Sequence, residues 1–147
     1  MKLKTYVITI SKNFPSTHSM KGHPTNFFSK IKEGTKKHTI RSNYELWKKR
    51  IDEVNEGKAV LSLREWSGKP YCSTQNVLME FRQGEIRVQK LTVDYMMGYF
   101  IDDVDSDITT EQLAINDGLT KEEFSEWFKK VKCGDELAII HFSEFRY

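Results

Sequence analysis

The run Leu137-Ala138-Ile139-Ile140-His141-Phe142 is apolar at both parities, so as a strand it must be covered on both of its faces. A fold that holds such a strand in its interior needs layers on either side of it. The rest of the chain offers material for both. Lys4–Ile10 places Tyr6, Ile8 and Ile10 on one face and Val7 on the other, a first strand. Ala59–Arg64, Asn76–Phe81 and Glu85–Tyr95 read as further strands, the last two joined at Arg82-Gln83-Gly84 by a hairpin-like turn. Ile86 and Val88 share one parity, Leu91, Val93 and Tyr95 the other. That phase slip at Gln89-Lys90 predicts a β-bulge, a device of strongly curved small sheets.

The helices announce themselves by their ends. Pro24, a cap at Thr25 or Asn26, and Gly34 bracket a short helix carrying Phe27, Phe28 and Ile31. Ser42 with Glu45 has capping-box spacing before a helix that aligns Tyr44, Trp47, Ile51 and Val54 and stops at Gly57. Lys48, Lys49 and Arg50 beside that stripe form a solvated face. Thr109 with Gln112 and Thr120 with Glu123 are two more capping boxes, with an acidic loop, Asp102–Asp107, before the first. Leu119 and Phe124 complete a hydrophobic staple around the second, and Phe124, Trp127, Phe128 and Val131 continue as a buried stripe. No repeat, linker or low-complexity tract interrupts the 147 residues, which fit one α+β domain, 1–147, with helices flanking small curved sheets.

Chemistry concentrates in Gly34-Thr35-Lys36-Lys37-His38-Thr39-Ile40-Arg41. If Thr39–Arg41 is extended, Thr39 and Arg41 leave one face, and Lys36 in the preceding turn reaches back over it. An ammonium, a hydroxyl and a guanidinium converging on a small volume suit an anionic or carbonyl-bearing ligand. His38 has the opposite parity and is expected at the surface. A second segment, Leu113–Phe124, reads as a helix end, a turn at Asp117-Gly118 and a new helix start. The staple and cap account for most of it structurally, but not for Asp117.

Together, the pattern G-x-K-x-x-T-x-R at Gly34, Lys36, Thr39 and Arg41 and a later acidic residue before a helix, Asp117, resemble the ASCH (activating-signal-cointegrator homology) family over roughly residues 24–142. The resemblance implies a small curved mixed β-barrel of PUA-like type with flanking helices, and a pocket for RNA or a modified nucleoside. Some small members are amidohydrolases that deacylate N4-acetylcytidine with a Lys, a Thr and a carboxylate. Carried over by position, these are Lys36, Thr39 and Asp117 as catalytic residues, with Arg41 in the same site. Asp117 stands where the small hydrolases have Glu, a side chain longer by one methylene, roughly 1.5 Å. The helix after Ser42 and the Trp66–Gln75 loop are additions to the minimal pattern. Trp66 and Tyr71, flanking the turn Gly68-Lys69-Pro70, are expected to line the ligand site by stacking.

Charge supports a nucleotide-bearing partner. Residues 1–70 hold 15 Lys and Arg against 6 Asp and Glu, residues 71–147 8 against 15, with a net of only +2. Such asymmetry points to phosphate on one side, and the small total to a single nucleotide or short strand rather than a long duplex. Recognition of RNA or a modified nucleotide is therefore the leading expectation, amide hydrolysis the second, and a protein-interaction module the third. His18, His23, His38 and His141 share no zinc-ligand spacing, and Asp103, Asp105 and Asp107 lack the Gly and Glu of a calcium loop, so no metal or cofactor is expected. Neither a membrane-spanning run nor a signal peptide is expected, Met1–Ile10 being too short and polar for the latter. Cys72 and Cys133, without CxxC spacing, read as reduced structural thiols of a cytoplasmic protein.

Overall fold

The computed structural model describes residues 2–96 and 98–147; Met1 of the first segment thus lies outside the described residues. Among them are eight strands and four helices: β1 (Lys4–Thr9), α1 (Phe27–Glu33), β2 (His38–Ser42), α2 (Tyr44–Asn55), β3 (Ala59–Trp66), β4 (Gln75–Phe81), β5 (Arg87–Asp94), β6 (Gly98–Ile101), β7 (Val104–Ser106), α3 (Thr110–Asn116), α4 (Lys121–Trp127) and β8 (Leu137–His141). The strands form two sheets, β1-β3-β4 and β2-β8-β5-β6-β7, so the chain is a mixed α+β fold. β1 and β3 run parallel; every pairing in the larger sheet is antiparallel.

β8 lies between β2 and β5, and all five of its residues are buried, as its two apolar faces demand. Registration sorts the larger sheet into two faces, because directly paired residues point the same way. Thr39, Ile140 and Val88 share one face with Arg41, Ala138 and Lys90. His38, His141 and Arg87 share the other with Ile40, Ile139 and Gln89. Phe142, next on the Thr39 side, stacks on Phe81 of the smaller sheet at 5.3 Å. The Ile40 side, with Leu91, Val93 and Leu137, forms an apolar cleft with Phe124, Phe128 and Val131.

Both Thr-led capping boxes form as the sequence predicts. Gly34 caps α1 at φ 83°, a left-handed conformation that glycine adopts without strain. Elsewhere the structure corrects the sequence expectation. Asn43, not Ser42, caps α2: its carboxamide oxygen accepts the Leu46 N–H at 3.2 Å. β4 and β5 are not a hairpin, since β4 pairs with β3 and β5 with β8 and β6. The bulge is also elsewhere, between Leu63 and Arg64 of β3, while β5 keeps unbroken register with β8. The apparent phase slip has a polar cause. Gln89 sits on the buried face, its amide oxygen accepting from Tyr147 N at 2.9 Å and meeting His141 Nε2 at 3.0 Å.

The expected acidic loop is largely the β6–β7 hairpin. Asp102 and Asp103 occupy its turn at φ 52° and 67°, the successive positive values that a two-residue turn of type I′ requires. Cys72 and Cys133 are free thiols, both exposed. No helix among the described residues is long and apolar enough to cross a membrane.

Candidate functional site

The site lies at the β2 edge of the larger sheet, where three chain segments meet. Past the Gly34 cap the backbone folds back, Lys36 N donating to Lys30 O at 3.0 Å. Lys37 then ties two distant elements together: its N–H donates to Asn116 O at 2.7 Å and its carbonyl accepts from Phe142 N at 3.0 Å. Asp117 caps the C-terminal end of α3, so α3 delivers its carboxylate to Lys36. Lys36 Nζ donates to Asp117 O at 2.5 Å and to Asp117 Oδ1 at 3.2 Å, and lies 4.3 Å from the Phe27 ring centre. Only 2% of Lys36 is exposed, and Thr39 and Asp117 are buried too.

Lys36, Thr39, Arg41 and Asp117 line one cavity, together with Ile10, Ser11, Phe27 and the aromatic wall of Trp127 and Phe128. Its volume is about 20 Å³, room for about one water molecule. Arg41 is half-buried and donates to Thr9 O, which fixes its guanidinium between the end of β1 and the cavity. Burial pushes the Lys36 amine down to about 8, with Arg41 and Lys30 adding to the shift and Asp117 opposing it. Burial likewise lowers Arg41, against the pull of Asp117, yet a guanidinium stays charged at any working pH.

Lys36, Thr39, Arg41 and Asp117 are therefore neighbours in space. Trp66 and Tyr71 are not among the residues lining this cavity. Their rings pack together at 5.1 Å at the β3–β4 loop, with Tyr71 89% exposed. His38 corrects the sequence expectation outright. It is fully buried, because β2 is covered on both faces, and opposite parity to Thr39 led inward rather than out. Its Nδ1 lies 3.3 Å from Asp117 Oδ1, and its Nε2 lies 2.5 Å from the Tyr147 hydroxyl. Asn116 Nδ2 donates to that hydroxyl at 3.0 Å. No periodicity or motif marks Tyr147 or Asn116 as part of the site. Among the described residues no three His, Cys, Asp or Glu side chains cluster to hold a metal ion.

Gly118 is the tightest joint. A Cβ there would lie 3.2 Å from Lys36 Cβ and Cδ, and the backbone sits at φ 83°. Gly118→Ala is expected to destabilise the protein by roughly 1–2 kcal/mol from left-handed strain alone. It should also push the Lys36 stem away from Asp117. Urea unfolding and NMR titration of Lys36 check the two effects; a wild-type midpoint for both would remove Gly118 from the site.

No family model, curated protein or solved structure matches this chain.

Proposed function

We propose that the chain is an ASCH-type protein with a PUA-like barrel whose buried cavity is a metal-free amidohydrolase site for an acylated nucleoside such as N4-acetylcytidine. The observation that carries this reading is the convergence of Lys36, Thr39, Arg41 and Asp117 on one enclosed volume, with the Lys36 amine brought down to about 8. A lysine so placed is a competent general base near neutrality. Neutral Lys36 takes the Thr39 hydroxyl proton as Oγ1 attacks the amide carbonyl. Arg41 stabilises the oxyanion. The Lys36 ammonium returns the proton to the leaving cytosine amine, leaving an acyl-threonine ester. Water, deprotonated by Lys36, then hydrolyses that ester to the carboxylic acid and free Thr39. Asp117 holds the Lys36 nitrogen throughout.

Burial supports chemistry over simple recognition, which the sequence ranks first. An RNA site built on phosphate contacts uses cations that face solvent, whereas Lys36 is enclosed and already paired with Asp117. The basic and acidic halves of the sequence also interleave, β2 from the first half pairing with β8 from the second. The cavity holds about one water, so a nucleoside enters only if Trp127 or Phe128, both half-buried, swings aside.

The test is chromatography of N4-acetylcytidine incubated with wild-type protein and with Thr39→Val. Cytidine released only by the wild type is expected; no release from either sinks this substrate and returns the weight to RNA or nucleotide recognition, which steep weakening of binding with salt would mark. The pH profile tests the base. At pH 7 only about one-tenth of a lysine titrating near 8 is neutral, so kcat/KM should rise about tenfold per pH unit below 8 and level off above it. A flat profile from pH 6 to 8 would remove Lys36 as the base.

A further inference from the structure

On the far side of Asp117 from the cavity lies a second set of buried polar groups that the reaction above does not use. An ionised Asp117 carboxylate only accepts, so the His38 Nδ1 facing Oδ1 at 3.3 Å must carry a proton. Burial disfavours the imidazolium, against the pull of Asp117, which leaves a neutral ring whose Nε2 is a lone pair. The Tyr147 hydroxyl at 2.5 Å must then donate to Nε2, and its oxygen is free to accept from Asn116 Nδ2 at 3.0 Å. Every proton along Asn116–Tyr147–His38–Asp117 is fixed by that chain of requirements. Oδ1 thus takes two donors, Lys36 and His38, while Oδ2 has no hydrogen-bond donor among the described residues.

We propose that His38, held in its Nδ1–H tautomer by the Asp117 carboxylate, is a positioning residue that pins Asp117 Oδ1 beside Lys36 and leaves Oδ2 to meet the substrate's amide nitrogen. The role of Oδ2 rests on the hydrolase reading; the pinning of Oδ1 does not. The need for a second donor follows from the reaction cycle. Each time Lys36 becomes neutral it loses its charge-assisted hold on Asp117, and His38, which keeps its proton, retains the carboxylate in place. A 1 Å displacement of such a group costs about a hundredfold in rate.

Three variants of the full chain test this: His38→Leu, which removes the donor; His38→Asn, which keeps an N–H about where Nδ1 stands; and Tyr147→Phe, which takes the hydroxyl from Nε2 and leaves Asp117 alone to set the tautomer. 15N NMR should find His38 as the Nδ1–H tautomer in wild-type protein and also in Tyr147→Phe, where the Asp117 carboxylate still requires that proton. With Asp117 released, the Lys36 midpoint should fall below about 8 in His38→Leu and stay near 8 in His38→Asn. With N4-acetylcytidine, kcat should drop about 10- to 100-fold in His38→Leu at nearly unchanged KM, and recover in His38→Asn. An Nε2–H tautomer in the wild type, or a Lys36 midpoint unmoved in His38→Leu, overturns the proposal. Should wild-type protein release no cytidine, the hydrolase reading falls alone, and the Lys36 midpoint still decides whether His38 pins Asp117. If His38→Leu does not fold, the tautomer in Tyr147→Phe decides, an Nε2–H state overturning the pinning of Asp117.

Discussion

Lys36→Met is expected to lower kcat for amide hydrolysis by about a thousandfold, within the 10²–10⁴ range of a positioned general base. Methionine reproduces the length of the lysine stem and can lie against Phe27, so the variant removes the amine with little change in packing. It also strips Asp117 of its charged partner in a site that is almost fully buried. Breaking such a pair from one side costs about 3–5 kcal/mol, although the N–H of His38 tempers this loss here. Adding Asp117→Leu should recover much of the stability and none of the activity, because the second change removes the orphaned charge. Thermal unfolding and turnover of the two single variants and the double variant separate these effects. More than a tenth of wild-type kcat in Lys36→Met would end the case for Lys36 as base.

Acid should unfold the protein early. His141 is fully buried and held down to about 3, first by burial and then by His38, Arg146 and Arg87. Its Nε2 faces Gln89 Oε1 at 3.0 Å, while Nδ1 has no hydrogen-bond partner. The rings of His38, Phe145 and Tyr147 pack around it. Unfolded, the ring binds a proton below pH 6.5; folded, it refuses one until about 3. The unfolded state therefore carries more protons across that window, and stability is lost as pH falls through it, by up to about 1.4 kcal/mol per unit from this group. His38, lowered for the same reason, acts in the same direction. Urea midpoints at pH 7 and pH 5 should differ clearly in the wild type and less in His141→Leu. Equal pH dependence in the two proteins would show that His141 is not the acid-labile group.

What the sequence discloses about this fold is mostly local. Thr109 and Thr120 with their Gln and Glu partners, Gly34 after α1, and the doubly apolar β8 are all readable because each signal lies within a few residues of its effect. The hairpin expected at Arg82-Gln83-Gly84 failed because strand partners are chosen by long-range burial, and β4 and β5 enter different sheets. Gln89 shows why alternation misleads: a polar side chain satisfied inside the core looks like a shift of phase. The same limit hid half of the site. Parity says that His38 and Thr39 point in opposite directions, but not that both directions lead inward. Tyr147 reaches His38 across 109 residues, a distance over which no spacing rule operates.

That separation has a consequence for how the protein comes into being. Lys36 and Asp117 stand 81 residues apart, and β2 takes its place beside β8, which comes far later in the sequence. β1 and β3 likewise pair in parallel across a connection that contains α1, β2 and α2. Contacts of such long range form late and slowly, since a large loop must close before any of them is rewarded. A ribosome must therefore extrude the chain past Asp117 before the lysine meets its carboxylate. Until then the nascent chain carries the ingredients of the cavity and none of its chemistry.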